Sequence, residues 1–537
     1  MKLVIDGKFP LGISVLFAFF LCCVRLGVAQ QGPVVAISGG SIRGTTLPDG
    51  GVVFKGIPYA QPPLAELRWK APLPAKSWTG VKNTVEFGGE CAQNPMWGHP
   101  KVVNEDYLYV SVWTPALPPT PLRPVMVWIH GGGNVAGSGN ENGESLMRHG
   151  VVLVTMNYRL ALFGFFAHPE LTTETPDHTA GNYGLMDQIA ALQWVQENIK
   201  KFGGDPANVT IFGESAGAMD VNLLMASPLA KGLFQKVIAE SGSVLLDRGA
   251  VPLKVAEEFG EKLVAAANLP AGADTLKALR AAPVEQLLAA FAKVVPPFGV
   301  PLGLGVNIDG KVLPQSPALV FAQGKQLPAA LIIGINAREI GGASSAADVA
   351  KNIETAYGTL APQALPLYGI TPSADGKFAQ GAPDPLYGDA GAQWMTDITF
   401  RCPSTVVASL NSRSGQPTYQ YQFSRGIPGR LDIGATHASE VIYVFGNLDD
   451  KRPMRPDYDA ADYAISKAMQ EYWTNFAKNG TPDSKGLPAW PAYTADTRQY
   501  MEFTDKGPVA GSHLRGEQCK VFAESLRKRA EVADSAH

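Results

Sequence analysis

The chain has 537 residues, 46% of them hydrophobic, so it can bury one large core or two ordinary ones. Only 17% are charged and the formal net charge is −3 at pH 7, which gives no reason to expect nucleic acid or an anionic membrane surface as partner. With 57 glycines and 42 prolines, the composition suits a loop-rich globular protein rather than a helical bundle or a disordered chain.

At the N-terminus, Lys2 and Lys8 precede an apolar stretch from Leu11 to Cys23, and Gly27-Val28-Ala29 supplies small residues before a cleavage point after Ala29. This reads as a signal peptide over residues 1–29, directing the remainder to a secreted or periplasmic location. The stretch is short and Arg25 interrupts it, so a membrane anchor is the poorer reading and no stable membrane insertion is expected. Cys22 and Cys23 would leave with the signal. Cys91, Cys402 and Cys519 remain, enough for one disulfide with one thiol left over, and their number does not say which two pair. The eight histidines are scattered, with no HExxH and no CxxC, so neither a metal nor a cofactor is expected.

From residue 30 to 537 no long linker, repeat or low-complexity block appears, and we expect a single domain. Short β-branched runs alternate with longer helical patterns, which predicts an α/β fold with a mostly parallel central sheet and helices on both faces. Val125–Ile129 and Val151–Thr155 read as buried strands. Leu185 to Lys200 carries Ile189, Leu192, Trp194-Val195 and Ile199 at helical spacing, and Gly203-Gly204-Asp205-Pro206 ends that helix. Val209–Phe212 is the next strand, and Ala218 to Met225 leaves it as a helix. A helical region from Leu253 to Ala292 suits either a cap over the sheet's C-terminal edge or a core helix, and Leu331–Gly334 is a further strand. Asn208-Val209-Thr210 and Asn479-Gly480-Thr481 fit the glycan acceptor pattern, although the first falls in a predicted buried strand.

Two constellations carry chemistry. Gly213-Glu214-Ser215-Ala216-Gly217 stands where a strand turns sharply into a helix. Side chains at the flanking glycines would collide with neighbouring elements, and the strain of the turn projects the serine hydroxyl above the sheet. The pentapeptide alone is a weak signal; the strand before it and the helix after it make Ser215 a candidate nucleophile. Trp128-Ile129-His130-Gly131-Gly132-Gly133 follows another strand, and its glycines leave backbone N–H groups free to face a ligand oxygen. No Gly-Lys-Ser/Thr follows, so a phosphate loop is the poorer reading. A nucleophile and an oxyanion site together point to acyl transfer.

With these in place, the sequence resembles the type-B carboxylesterase family of α/β-hydrolases, which also contains the cholinesterases. The likeness covers nearly the whole chain after residue 29. It rests on Phe54-Lys55-Gly56-Ile57-Pro58-Tyr59-Ala60 with Leu67-Arg68-Trp69, on Glu105 to Val110, on Asn157-Tyr158-Arg159, and on Gly181 to Gln188. The resemblance implies an α/β-hydrolase fold with helical insertions and hydrolysis of small-molecule esters through an acyl-enzyme. Gly334-Ile335-Asn336-Ala337-Arg338-Glu339 resembles the segment that carries the triad acid, pointing to Glu339, although Ile340 intervenes before Gly341 where relatives have glycine directly. Gly434 to Glu440 resembles the histidine loop, pointing to His437. The order Ser215, Glu339, His437 is that of α/β-hydrolases. By the same resemblance, the amides of Gly132, Gly133 and Ala216 form the oxyanion hole, and Glu214 and Glu440 are acidic residues near the site, bracing its loops or acting electrostatically.

Departures from the family sharpen other expectations. Tyr107 stands where many relatives have a cysteine, so Cys91 is expected unpaired, whereas Cys402 and Cys519 match a disulfide of the cholinesterase branch. Trp97 lies ten residues before Tyr107, where cholinesterases carry a choline-contacting tryptophan. Here an aromatic lining for acyl or aryl esters fits better, because Gly342 stands where a second aromatic wall would be. Phe298, in the loop after Val295, is expected to line the pocket, and Asn134 to make the region beside the oxyanion hole more polar. The readings that compete with a broad esterase are a dedicated enzyme for one bulky natural or xenobiotic ester, a cholinesterase-like enzyme, and a non-catalytic binding member of the family.

Overall fold

The computed structural model describes residues 32–96, 99–118, 121–245, 249–270, 274–295, 305–341, 344–374, 376–450 and 456–535. The expected signal segment 1–29, Trp97, Phe298 and Gly342 lie outside them. Among the described residues, eleven strands form one sheet: β1 (Thr45–Thr46), β2 (Val52–Pro58), β3 (Tyr109–Thr114), β4 (Arg123–Ile129), β5 (Val152–Met156), β6 (Gly204–Glu214), β7 (Lys236–Glu240), β8 (Ala330–Asn336), β9 (Thr418–Phe423), β10 (Gln499–Thr504) and β11 (Gly507–Ser512). Across the sheet they run β11-β10-β9-β8-β7-β6-β4-β5-β3-β2-β1. From β10 to β5 every pairing is parallel, while β11 and the strands from β3 to β1 add antiparallel edges. The expected mostly parallel α/β sheet is therefore present.

The reason the strands read as continuous apolar runs is that both faces are covered. Alternate residues of the central strands enter separate cores: Val125, Val127 and Ile129 of β4 pack with Ile211 and Leu331 on one side. Met126 and Trp128 pack with Phe212, Ile332 and Tyr421 on the other. The first face is closed by α1 (Tyr183–Asn198) and α2 (Ala216–Ala226), the second by α7 (Ala460–Asn479), which comes later in the chain. α1 starts two residues before the predicted point, and its end tightens into a 3₁₀ turn over Ile199–Phe202, stopped by Gly203 at φ 85°. A left-handed residue there is what glycine permits without steric cost.

Among the described residues, the helical region after Leu253 is three helices, α3 (Leu253–Ala266), α4 (Thr275–Ala281) and α5 (Val284–Val294). Pro283 cannot continue α4, so the chain turns there. Phe259, Leu263, Leu279, Leu287, Leu288 and Phe291 join the same core as α1 and α2. Gly260 of α3 sits against the Ala167 carbonyl, on the segment that leaves β5 at its C-terminal end.

Several segments that carry the family resemblance turn out to hold buried ion pairs. Arg68 forks onto Glu105 at 2.6 and 2.8 Å and donates to the carbonyls of Leu279 and Ala282, tying the N-terminal segment to α4. Arg159 forks onto Asp187 of α1 with both side chains out of solvent. The disulfide links Cys402, at the start of α6 (Cys402–Arg413), to Cys519 in α8 (Gly516–Ser535), and Cys91 is buried and free. In β6 the Asn208 amide engages the Lys478 carbonyl and Lys236. No described helix is long and apolar enough to cross a membrane.

Candidate active site

Four loops at the C-terminal ends of the parallel strands β4, β6, β8 and β9 meet at one point, the usual place for a site in an open α/β sheet. β6 ends at Glu214, and Ser215 follows at φ 56°, ψ −119°, before α2 begins. That backbone conformation is strained for a residue with a side chain. The corner can form only because its neighbours lack one: a Cβ on Gly217 would lie 2.0 Å from the Ile129 carbonyl oxygen. On Gly213 it would lie 2.6 Å from the same oxygen. The Ser215 amide donates to the Glu240 carbonyl of β7 at 2.8 Å, which fixes the corner from the other side.

His437 reaches Ser215 from the loop after β9, with Nε2 2.8 Å from Oγ. Its Nδ1 lies 2.7 Å from Glu339 Oε2, just past the end of β8. Glu339 is itself pinned: its Oε1 accepts from the Asn336 amide at 2.6 Å, and its carbonyl accepts from the His437 amide at 2.9 Å. The Phe400 ring, 4.7 Å from the imidazole between centroids, packs against it. Thus the structure brings the three residues singled out by sequence into one hydrogen-bonded line, held at both ends by backbone.

The glycine run after β4 lies alongside. A Cβ on Gly131 would come within 3.0 Å of Ser215 Cβ and 2.6 Å of Glu214 Oε2, so the loop approaches the nucleophile at van der Waals distance. Gly132 at φ 98° and Gly133 at φ 62° turn the chain, and the Gly132 carbonyl accepts from Val135 and Ala136, both at 3.0 Å. Among the described residues, the amides of Gly132 and Gly133 donate to no backbone carbonyl across the loop. The Ala216 amide is at the first position of α2, where helical N–H groups have no intrahelical acceptor. Burial pulls His130, at the head of this run, down to about 4, so it is neutral here.

Glu214 and Glu440 are both buried beside the triad. Glu214 Oε1 lies 3.3 Å from His437 Nε2. Glu440 accepts from Ser241 Oγ at 3.1 Å and from Asn336 Nδ2 at 2.5 Å. Burial raises both carboxyls above the usual carboxylate range. Burial also disfavours a charged His437, but Glu214, Glu339 and Glu440 outweigh it and hold the imidazole proton more tightly than in a free histidine. An acid limb in kcat/KM reports the deprotonation of the free enzyme's base. Removing a carboxylate destabilises the imidazolium, so Glu214→Gln is expected to move that limb to lower pH by about one unit. An unmoved limb in the pH profile of the variant would show that Glu214 only braces the loop.

Asn134 is where the structure departs from expectation. Its side chain is 3% exposed and points inward, donating to Asp220 Oδ1 at 3.0 Å and accepting at Oδ1 from the Tyr158 hydroxyl at 3.0 Å. Its polarity is spent on this network rather than offered to a ligand, because φ 59° at Asn134 turns the side chain under the loop. Phe400, Asn336 and Asp220 were not singled out as site residues from sequence, although Asn336 stands three positions before Glu339 and Asp220 five after Ser215. No pattern marks them, since the side chain of each meets a partner distant in the chain.

Residues 31–522 match the model of the carboxylesterase family. Liver carboxylesterase 1 of Oryctolagus cuniculus is 35% identical over 524 residues, covering 89% of this chain and 90% of that one. Carboxylesterase 1E of Rattus norvegicus is 36% identical over 530 residues, covering 88% and 91%. Among solved structures, a PNB esterase superposes with a TM-score of 0.76 at 32% identity, covering 91% of this chain and 99% of that one. The Geobacillus stearothermophilus carboxylesterase EST55 matches with the same TM-score, identity and coverage.

Proposed function

The chain belongs to the carboxylesterase family and is a carboxylic ester hydrolase; from that premise we propose that Ser215, His437 and Glu339 carry the reaction, and that the enzyme is a secreted or periplasmic esterase of broad specificity. In this reading Ser215 Oγ attacks the ester carbonyl while His437 Nε2 takes its proton. The amides of Gly132, Gly133 and Ala216 stabilise the negative charge that develops on the carbonyl oxygen. As the tetrahedral intermediate collapses, the imidazolium gives its proton to the leaving alkoxide, and an acyl group remains on Ser215. A water molecule, deprotonated by the same nitrogen, then releases the acid and restores the serine. Glu339 holds the tautomer with the proton on Nδ1 and stabilises the imidazolium.

The observation that carries this reading is the unbroken line from Ser215 Oγ through His437 to Glu339, at 2.8 and 2.7 Å. The Cys402–Cys519 disulfide supports export, since such bonds persist in oxidising compartments. Hydrolysis of p-nitrophenyl esters of increasing acyl length, with aryl and choline esters beside them, tests the specificity. Turnover is expected across several acyl lengths and with aryl esters, and choline esters should be poor substrates. Activity confined to choline esters, or to a single bulky ester, would replace this reading with a dedicated one.

A further inference from the structure

Asp220 lies in the second turn of α2, fully buried, on the helix that begins at the nucleophile. Among the described residues, its two carboxyl oxygens meet two side-chain amides and no cation: Asn134 Nδ2 at 3.0 Å and Gln188 Nε2 of α1 at 2.6 Å. No charged side chain among the described residues acts on it. A buried carboxylate with only neutral partners is costly, and burial pushes it up to about 7. Core packing alone gives no reason to keep such a group there.

The far side of the grip is the oxyanion loop. Asn134 directly follows Gly133, and it holds φ 59°, a conformation unfavourable for most side chains but tolerated by asparagine. Its carbonyl accepts from the Ala161 amide at 2.6 Å, and the Tyr158 hydroxyl lies between Asn134 Oδ1 at 3.0 Å and the His130 carbonyl at 2.7 Å. Gly132 and Gly133 therefore stand between two clamped residues, His130 and Asn134. A stretch of glycines has no side chains of its own to hold its amides in one orientation.

We propose that Asp220 is a positioning residue for the oxyanion amides, anchoring Asn134 to the helix that carries Ser215 so that the nucleophile and the Gly132 and Gly133 N–H groups keep one geometry. The helix and the loop come from strands β6 and β4, and this hydrogen bond ties them through side chains directly behind the reacting centre. Oxyanion donors act only if aimed in advance at the position the charged oxygen will occupy. Loosening them lowers transition-state stabilisation more than ground-state binding. The proposal rests on the reading of Ser215 as nucleophile with Gly132 and Gly133 as its oxyanion donors.

A double-mutant cycle on the full chain tests it. Asn134→Gly removes the tether while suiting the backbone, since glycine accepts φ 59° freely. It is expected to lower kcat by about 10- to 100-fold with KM changed by less than about 3-fold. Affinity for a trifluoromethyl ketone transition-state analogue should fall by the same factor as kcat/KM. Asp220→Ala should give the same pattern, and the double variant should be no worse than either alone. Asp220→Asn should restore kcat to within about 3-fold of the parent, because an asparagine still accepts from Asn134 and Gln188 can turn its unpartnered Oε1 toward the new amide. Multiplying losses in the double variant, an unchanged kcat in Asn134→Gly, or a fall in melting temperature alone would overturn the proposal. Should Asp220→Ala fail to fold, Asn134→Gly with the analogue decides by itself. Failure of the underlying reading would look different: Ser215→Ala would still turn over.

Discussion

Ser215→Ala loses ester turnover, with kcat falling by about 10⁴- to 10⁶-fold, while the protein keeps its fold and melting temperature. The size follows from what is removed. Without Oγ there is no acyl-enzyme, and only the oxyanion amides and substrate binding remain to assist water. The stability expectation follows from the backbone: alanine meets the same strain at φ 56° as serine does, and the Gly213 and Gly217 contacts that shape the corner are untouched. One hydrogen bond, between Oγ and His437 Nε2, is lost, while the imidazole keeps its bond from Nδ1 to Glu339. A p-nitrophenyl ester assay at high protein concentration, beside a thermal melt, checks both halves. Turnover within about 100-fold of the parent would remove Ser215 from the mechanism.

His437→Ala is expected to cost about as much as Ser215→Ala, and Glu339→Gln about 10⁴-fold in kcat. The glutamine substitution is the more informative of the two. Its Oε1 can keep the hydrogen bond from the Asn336 amide, so the loop should stay in place. The amide group then faces His437 Nδ1 as a donor, which forces that nitrogen to accept and puts the ring proton on Nε2, against Ser215 Oγ. In that tautomer the imidazole cannot take the serine proton. Glu440 cannot substitute, because its oxygens already serve Ser241 and Asn336. The losses should not multiply when combined with Ser215→Ala, as the three act as a unit. A mild loss in either single variant, read from kcat under saturating ester, would mean that triad member is wrongly assigned.

The pattern of strands and helices was legible because both signals are local. Val125–Ile129 and Leu331–Gly334 read as strands from runs that the sheet then buries on two faces, and the glycines around Ser215 announce a corner that the contacts to Ile129 explain. Boundaries were less legible: the region after Leu253 reads as one helical pattern, yet the end of α3 at Ala266 and Pro283 break it up. The triad acid and histidine came only from the resemblance, since a lone glutamate after a strand and one histidine among eight carry no periodic signal.

By itself, then, the sequence determined the fold class, the nucleophile corner and the glycine run, because steric requirements at Gly213, Gly217 and Gly131 are written in residue type and spacing. Tertiary structure alone decided what stands around them. It turned Asn134 inward to Asp220 instead of toward a ligand, set Phe400 on the His437 ring, and gathered Glu214 and Glu440 beside the imidazole. Those contacts join residues from different strands. Their strength depends on burial and on distances of about 3 Å, which exist only once the sheet has brought its loops together.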